Sequence, residues 1–305
     1  MISSSLTLSG SNCFYLFSFE LVRNATGCPT FLIATAGPWV TILGSVITDG
    51  VIVQRLTDYI WVGLDSVLSE AHIAQVARIF NALESGLKNL NMYYESMAPC
   101  KDPADSRFFP SMTAYRTDAG LVEFEYVGYL ENGFDCIILR ARTVSEPTED
   151  IVVKFVDRYG ERAHKVLAEA DLAPKLLYCG SPRVEDSEPS YEPIRMVVME
   201  YIEGSTLAAA KCDMDEETKE RVRTQVEGAL ERLHGCGLVF GDLRAPNIIV
   251  TKAGKVRLID FNWAGEEGQA KYPALISAGI TWPEGVEGLA VIKREHDLGM
   301  LRRII

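Results

Sequence analysis

The chain has 305 residues, a formal net charge of −12, and the apolar and charged fractions of an ordinary globular protein. A surplus of acidic residues repels phosphate backbones, so the composition argues against broad nucleic-acid binding. Seven cysteines without any C-x-x-C pair are typical of reduced thiols. The N-terminus has no basic stretch of the kind that opens a signal peptide. We therefore expect an intracellular protein, cytoplasmic or nuclear.

One segment needs to be weighed as a membrane span. Ala25–Thr48 contains no charged residue and is long enough to cross a bilayer. Gly37 and Pro38 interrupt this run, and its Thr, Val and Ile residues favour strands. We therefore predict two strands here and no membrane partner. Asp49-Gly50 is a strong hairpin signal, and it predicts a turn into a further strand.

A long helix is predicted from Ser66 to Ser96, because apolar residues recur there at helical spacing. These residues are Ile73, Val76, Phe80, Leu83, Leu87 and Leu90. The following segment, Ala98–Pro110, carries Pro, Asp and Ser residues and is typical of a linker. The sequence therefore predicts a small α/β region at residues 1–110 and a second domain at residues 113–305.

In the second domain the pattern changes to short apolar strands, followed by amphipathic helices. This mixture predicts an α+β domain that begins with a small antiparallel sheet. Asp213 with Glu216 resembles a capping box at the start of a long helix. The apolar stripe of that helix should pack on a core, and it consists of Val222, Val226, Leu230 and Leu233. The predicted strands are Val122–Leu130, Ile137–Arg142, Ile151–Phe155, Leu176–Cys179 and Met196–Tyr201. The predicted helices are Arg158–Ala170, Asp215–His234 and one near Asp297–Ile304.

Lys154 lies at the end of the third of these strands, in the sequence Ile-Val-Val-Lys. Phosphoryl transfer needs a cation fixed against the nucleotide phosphates, and a rigid strand can provide one. Such a lysine needs a carboxylate partner to orient it. Glu161 and Glu169 both lie on the next predicted helix, and Glu169 falls near the end of that helix. We therefore predict that Glu161 orients Lys154.

Two further segments could contact a nucleotide. The loop Leu130–Cys136 contains one glycine, Gly133, which would let backbone amides approach phosphates closely. The segment Val197–Gly204 resembles the hinge of protein kinases. That resemblance implies that the Glu200 carbonyl and the Ile202 amide face an adenine edge.

The most informative stretch runs from Leu238 to Ala264. Asp242 is followed five residues later by Asn247, and Asp260 ends a later apolar strand just before a Phe. This spacing resembles the catalytic loop and the Asp-Phe motif of protein kinases. The resemblance implies that Asp242 is the catalytic base and that Asn247 and Asp260 bind Mg²⁺. Arg244 stands where many kinases have a lysine that touches the transferred phosphate.

As an ordered set over residues 120–305, these motifs resemble the protein-kinase-like superfamily, and within it the fungal-type protein-kinase-like domain. The resemblance implies a two-lobed α+β fold with a shortened C-lobe, behind the small α/β region. It also implies ATP and Mg²⁺ as cofactors and a protein Ser/Thr hydroxyl as acceptor. The strings that carry it are VVKFVDRYGERAHKVLAEADLAPKLLYCG, VMEYIEG, VFGDLRAPN, LIDFNWAGEEGQAKYP and HDLGML.

The chain departs from the kinase pattern before and after the catalytic motifs. Phe240-Gly241 replaces the usual His-Arg, so a phosphorylated activation loop has no such arginine to pair with. Asn262 replaces the glycine that follows the Asp-Phe pair. Asp297 stands where kinases have an aspartate that braces the backbone of the catalytic loop, and we predict the same role for it.

Other interpretations stay open. The short C-lobe fits a small-molecule phosphotransferase similar to aminoglycoside and lipopolysaccharide kinases. The single glycine of the phosphate loop fits a pseudokinase that serves as a binding module, although the full set of candidate site residues opposes it. The N-terminal region resembles the segment before the kinase in some fungal proteins, where it continues a restriction-nuclease-like module. No Asp…Glu-x-Lys nuclease signature is present in it.

Overall fold

The computed structural model describes residues 26–47, 51–63, 70–97, 109–132, 137–184 and 193–304. By its internal contacts the chain divides into two compact units, Met1–Ser111 and Met112–Ile305. Two features of the sequence, the Asp49-Gly50 turn and Gly133, lie outside the described residues.

The described residues of the first unit form a four-stranded antiparallel sheet and one long helix. Strand β2 pairs with each of the other three strands. The prediction of two strands within Ala25–Thr48 is confirmed for residues 26–47. The elements are β1 (Thr30–Ala36), β2 (Trp39–Ile47), β3 (Val51–Arg55), β4 (Ile60–Trp61) and helix α1 (Glu70–Glu95).

Helix α1 contacts the sheet region near its C-terminal end. The Tyr94 hydroxyl donates to the Pro29 carbonyl at 2.8 Å. A Cβ at Gly86 would lie 2.9 Å from the Phe31 ring, so a glycine lets the helix approach this strand. Of the predicted apolar stripe only Leu83 is buried. No helix among the described residues is long and apolar enough to cross a membrane.

The second unit begins with a six-stranded antiparallel sheet in the order β5-β6-β7-β8-β10-β9. The small antiparallel sheet predicted from the sequence is therefore confirmed, and β5 adds a strand at its edge that was not predicted. The strands are β5 (Ala114–Thr117), β6 (Gly120–Asn132), β7 (Ile137–Thr143), β8 (Asp150–Val156), β9 (Leu176–Gly180) and β10 (Arg195–Glu200). Helix α2 (Glu161–Ala168) follows β8.

In the rest of the second unit, the described residues form three α-helices and two small sheets joined by loops. Its core forms around α4, whose predicted apolar stripe is buried. These elements are β11 (Gly204–Thr206), α3 (Leu207–Ala210), α4 (Glu216–Gly235), β12 (Leu238–Val239), β13 (Ile248–Thr251), β14 (Val256–Leu258), β15 (Gly265–Glu266) and α5 (Arg294–Ile304). Together with the sheet they make the two-lobed α+β arrangement expected from the sequence.

The start of α4 differs from the prediction. Its N-cap is Asp215, whose Oδ1 accepts from the Thr218 N–H at 2.8 Å. Asp213 ends the preceding 3-10 turn instead. Two aspartates lie close together in the sequence here, and the one with extended backbone just before the first helical residue takes the capping role.

Candidate active site

The loop that follows β12 is held in place by a buried carboxylate. Asp297 of α5 accepts from the backbone N–H groups of Phe240 at 2.9 Å and Gly241 at 2.8 Å. Its side chain is 1% exposed, and His234 at the end of α4 lies 3.1 Å from it. The predicted bracing role of Asp297 is confirmed. It fixes the backbone directly before Asp242, because two charge-assisted bonds hold consecutive amides.

Gly241 suits this position for two reasons. Its φ angle is +81°, in the left-handed region that glycine adopts without strain. A Cβ there would also lie 2.8 Å from the Ile292 side chain. The packing around Gly241 therefore leaves no room for a side chain such as the arginine that kinases usually have at this position.

Asp242 is buried, with 3% of its surface exposed, and both of its carboxylate oxygens accept hydrogen bonds. Arg244 donates to Oδ1 through Nε at 2.5 Å and to Oδ2 through Nη2 at 2.6 Å. Burial raises the pKa of Asp242, Arg244 opposes this rise, and the nearby Asp260 carboxylate adds to it. Asp242 and Arg244 therefore form one bidentate ion pair, and Asp260 lies within electrostatic reach of it.

Asn247 ends the 3-10 turn that follows this pair. Its amide nitrogen donates to the Asp242 backbone oxygen and to Asp242 Oδ2, both at 2.9 Å. These two hydrogen bonds use only the nitrogen of the Asn247 amide and not its oxygen. Amide and carboxylate oxygens suit Mg²⁺, which proteins hold through few side chains together with substrate phosphates. The described residues contain no group of three or more His, Cys, Asp or Glu that could hold a metal ion. A donor set of Asn247 and Asp260 fits a nucleotide-bound Mg²⁺.

Lys154 on β8 is 2% exposed, and its ammonium contacts the segment after β14. It donates to Asp260 Oδ1 at 2.8 Å and to Asn262 Oδ1 at 2.9 Å. The same nitrogen lies 5.0 Å from the centre of the Tyr159 ring. Asp260 has a φ of 64°, an uncommon left-handed backbone that Asp tolerates better than most residues. Two predicted site residues, 106 positions apart in the sequence, therefore form a direct ion pair.

Glu161 does not form the predicted pair with Lys154. Its Oε1 accepts from Lys165 at 2.8 Å and its Oε2 accepts from Arg195 at 2.9 Å. These partners, Lys165 first, lower the pKa of Glu161. The physical reason is local: Lys165 lies one helical turn further along α2, and Arg195 begins β10. Glu169, the alternative, is exposed at the C-cap of α2.

The segment that resembles a hinge continues from β10. In the sheet register Met199 lies opposite Val152, and Val197 lies opposite Lys154, so these side chains share one face. The Glu200 N–H donates to the Lys175 carbonyl at 2.9 Å, and Ile202 follows the end of the strand, half-buried. A cavity of about 680 Å³ borders Glu200, but neither Lys154 nor Asp260 lines it. The adenine contacts of Glu200 and Ile202 stay predictions.

The sequence interpretation missed two residues of this site, Tyr159 and His164. His164 is fully buried and stacks on the Phe261 ring with centroids 4.5 Å apart. Its Nδ1 lies 2.7 Å from the Tyr159 hydroxyl and its Nε2 lies 2.8 Å from the Pro174 carbonyl. A signal was available, because His164 falls between Ala163 and Leu167 on the apolar face of a short helix.

Comparisons with known proteins find similarity to protein kinases. Residues 147–281 match the protein kinase domain family. A probable cAMP-dependent protein kinase catalytic subunit of Encephalitozoon cuniculi is 27% identical over 158 residues, which cover 49% of this chain and 49% of the relative. A probable serine/threonine-protein kinase of Dictyostelium discoideum is 24% identical over 202 residues, which cover 63% of this chain and 31% of the relative.

A solved structure, that of the kinase PK-1 of the Cydia pomonella granulovirus, matches with a TM-score of 0.40 and 15% identity. The match covers 50% of this chain and 55% of the viral chain. The chain spans about half the length of the Encephalitozoon relative and about a third of the Dictyostelium one. The family match includes Lys154, Asp242, Asn247 and Asp260 within its bounds. Over residues 147–281 the chain is thus similar to the protein-kinase-like superfamily.

Proposed function

We propose that this chain is a Mg-ATP-dependent phosphotransferase that acts on Ser or Thr hydroxyl groups of a protein. Lys154 positions the nucleotide phosphates, and Asp242 accepts the proton of the attacking hydroxyl. Asn247 and Asp260 hold Mg²⁺. Gly133, Glu200 and Ile202 complete the nucleotide contacts as predicted from the sequence.

The observation that supports this function most is the ion pair between Lys154 and Asp260, with a nitrogen–oxygen distance of 2.8 Å. A lysine that is 2% exposed needs a reason to be buried, because an unpaired buried ammonium is costly. The pair joins a sheet strand to the segment after β14, next to the Asp242–Asn247 pair. These contacts support a single site for the residues to which we assign phosphate contact, proton transfer and metal binding.

Asp242 and Arg244 have linked tasks in this proposal. Both carboxylate oxygens accept from Arg244, so a substrate hydroxyl competes with the guanidinium for Asp242. An arginine displaced in this competition can bind a phosphate group with two parallel hydrogen bonds. When bound, Mg²⁺ supplies positive charge against the phosphate oxygens. The protein itself contributes placement, the base and the two cationic side chains.

The acceptor is proposed from the relatives and from charge. The Dictyostelium relative is a probable serine/threonine-protein kinase, and we extend that acceptor class to this chain. A net charge of −12 does not favour nucleic acid as a partner. We keep the expectation of an intracellular protein that uses ATP and a protein substrate.

The test is incubation of the full chain with γ-labelled ATP and Mg²⁺, with and without casein and histone as generic acceptors. We expect label on protein Ser or Thr, and loss of that label in the Asp242→Asn variant. A melting curve of the variant serves as the folding control. Label found only on a small molecule would mean that the acceptor is a small molecule and not a protein. Binding of Mg-ATP without transfer to any acceptor or to water would favour the pseudokinase alternative.

A further inference from the structure

The contacts of the Lys154 ammonium group do not include Glu161. An ammonium has three N–H donors. Two of them are taken by the Asp260 and Asn262 oxygens, at 2.8 Å and 2.9 Å. The Tyr159 ring, 5.0 Å from the nitrogen, supplies a cation–π contact on a further side. Glu161 is occupied by Lys165 and Arg195.

We propose that Asn262 is the positioning residue of Lys154. The Tyr159 ring, which His164 holds in place, contacts the same ammonium group from a second side. Only the kinetic consequence of this assignment rests on the proposed function. The contacts themselves belong to the protein without nucleotide, so they can be tested separately.

Asn262 suits the role because its side-chain oxygen is a neutral acceptor. It orients the ammonium through one hydrogen bond without cancelling its charge, which a carboxylate partner would do. When Asp260 binds another cation in place of Lys154, the full positive charge of Lys154 is then available to nucleotide phosphates. Asn262 is also absent from the residues with positive φ, so other side chains fit its backbone.

Tyr159 is held by a short chain of hydrogen bonds. The Pro174 carbonyl can only accept, so His164 Nε2, at 2.8 Å, must carry the proton. Nδ1 is then an acceptor, and the Tyr159 hydroxyl donates to it at 2.7 Å. Burial lowers the pKa of His164 to about 4, so the ring is neutral at physiological pH. His164 also stacks on Phe261 with an interplanar angle of 4°, which ties Tyr159 to the segment that carries Asn262.

The first test needs no nucleotide. A double-mutant cycle joins Lys154→Met with Asn262→Ala and reads native-state hydrogen exchange of the β8 amides. We expect the two substitutions to be coupled by about tenfold in the opening equilibrium constant. The matched cycle joins Lys154→Met with Glu161→Gln, and we expect it to be additive. Additivity in the Asn262 cycle, or stronger coupling in the Glu161 cycle, overturns the assignment.

The second test uses steady-state kinetics with Mg-ATP. Asn262→Ala should raise the KM for ATP about tenfold with a smaller change in kcat, the size expected for a hydrogen bond to a charged group. Asn262→Asp keeps an acceptor oxygen but adds a negative charge beside Lys154, so it should reverse only part of the KM rise. Tyr159→Phe keeps the ring but loses its bond to His164, so it should give a smaller rise. Gln269→Ala, which removes a surface amide bonded to Glu266, is the control and should behave like wild type.

The outcomes separate the two proposals. A wild-type protein that shows Lys154–Asn262 coupling but transfers no phosphate contradicts the proposed function and supports the positioning role. An active wild-type protein whose Asn262→Ala variant keeps its KM contradicts the positioning role alone. A KM rise that Asn262→Asp fails to reverse, with a lowered melting temperature, would assign Asn262 a structural role and overturn the inference.

Discussion

Glu267 and Arg294 form a multiply hydrogen-bonded ion pair across the segment that follows the Asp260 motif. Arg294 Nε donates to Glu267 Oε1 at 2.9 Å and to Oε2 at 3.1 Å, and Nη2 also contacts Oε2. The pair ties this segment to the first residue of α5. Arg162 of α2 adds a second tie through Glu266 at 3.0 Å. In phosphorylation-regulated kinases a new arginine–phosphate pair orders the corresponding loop. Here the acceptor of Arg294 is the Glu267 carboxylate.

The first prediction is that this segment does not need phosphorylation. Phosphatase treatment of the purified protein should leave its phosphotransfer rate unchanged, because Gly241 stands where a phosphate-binding arginine would be needed. Glu267→Gln should lower the rate, because it removes a charged acceptor from Arg294. Rates are compared by labelled-ATP transfer, with Glu284→Gln as an acidic control in the same part of the chain. A rate that falls after dephosphorylation would contradict this prediction.

The second prediction concerns the pH dependence of the same pair. The hydrogen bonds of Arg294 lower the pKa of Glu267 to about 2. A lowered pKa means that the stabilisation is present above the unfolded value, about 4.3, and is lost as pH falls through the folded value. The melting-temperature difference between wild type and Glu267→Gln should therefore be constant above pH 5 and shrink between about pH 4 and pH 2. A difference that shrinks on raising the pH from 5 to 8 would have the wrong sign.

The third prediction concerns Asp297. Asp297→Ala leaves the buried N–H groups of Phe240 and Gly241 without their acceptor, and such losses cost about 1–3 kcal/mol for each group. Asp297→Asn keeps one oxygen and should cost less. Urea unfolding measures both variants, with exposed Asp213→Asn as the control. Equal stability of Asp297→Ala and wild type would show that the buried carboxylate does not hold the loop.

The residues of the candidate site could be selected from the sequence, but their contacts with one another could not. Asp242, Asn247 and Asp260 stand out because a loop, a hairpin and a strand end fix their spacing along the chain. The partner of Lys154 depends on how α2 and the Asp260 segment pack together in space. The positions of the two glutamates along the predicted helix favour Glu161 over Glu169 and contain nothing about Arg195, which pairs with Glu161 from another strand. The role of Asn262 could not be inferred from the sequence, because its partner Lys154 lies 108 positions away.

Strand β5 is a part of the fold that likewise could not be predicted from the sequence. Its four residues, Ala114–Thr117, are too few for a period of two to be recognised. Tyr115 nevertheless is 4% exposed and packs on Phe124 of β6, with ring centroids 6.2 Å apart. The strand exists because it covers that edge of the sheet, which is a tertiary effect. Longer strands such as β8 and β10 were predictable because their own apolar residues define them.

The fourth prediction is stabilisation by nucleotide. A ligand that binds only the folded state stabilises it by about 2.7 kcal/mol at a hundredfold excess over its dissociation constant. Mg-ATP should therefore raise the melting temperature of the second unit. Asp260→Ala should remove the part of this shift that depends on Mg²⁺, and ATP with EDTA is the control for the wild-type protein. A melting temperature that does not respond to saturating Mg-ATP would refute the nucleotide site.

The last prediction separates binding from chemistry at Asp242. Its proposed task is to accept a proton in the transfer step, whereas Lys154 and Asp260 also act on the bound nucleotide. Asp242→Asn keeps the shape of the side chain and an oxygen for Arg244, so the affinity for Mg-ATP should stay nearly unchanged. Turnover should fall by roughly 10²–10⁴-fold, the usual contribution of general base catalysis. Calorimetry gives the affinity and single-turnover labelling gives the rate. A parallel loss of affinity and rate would mean that Asp242 holds the nucleotide site together and does not act as its base.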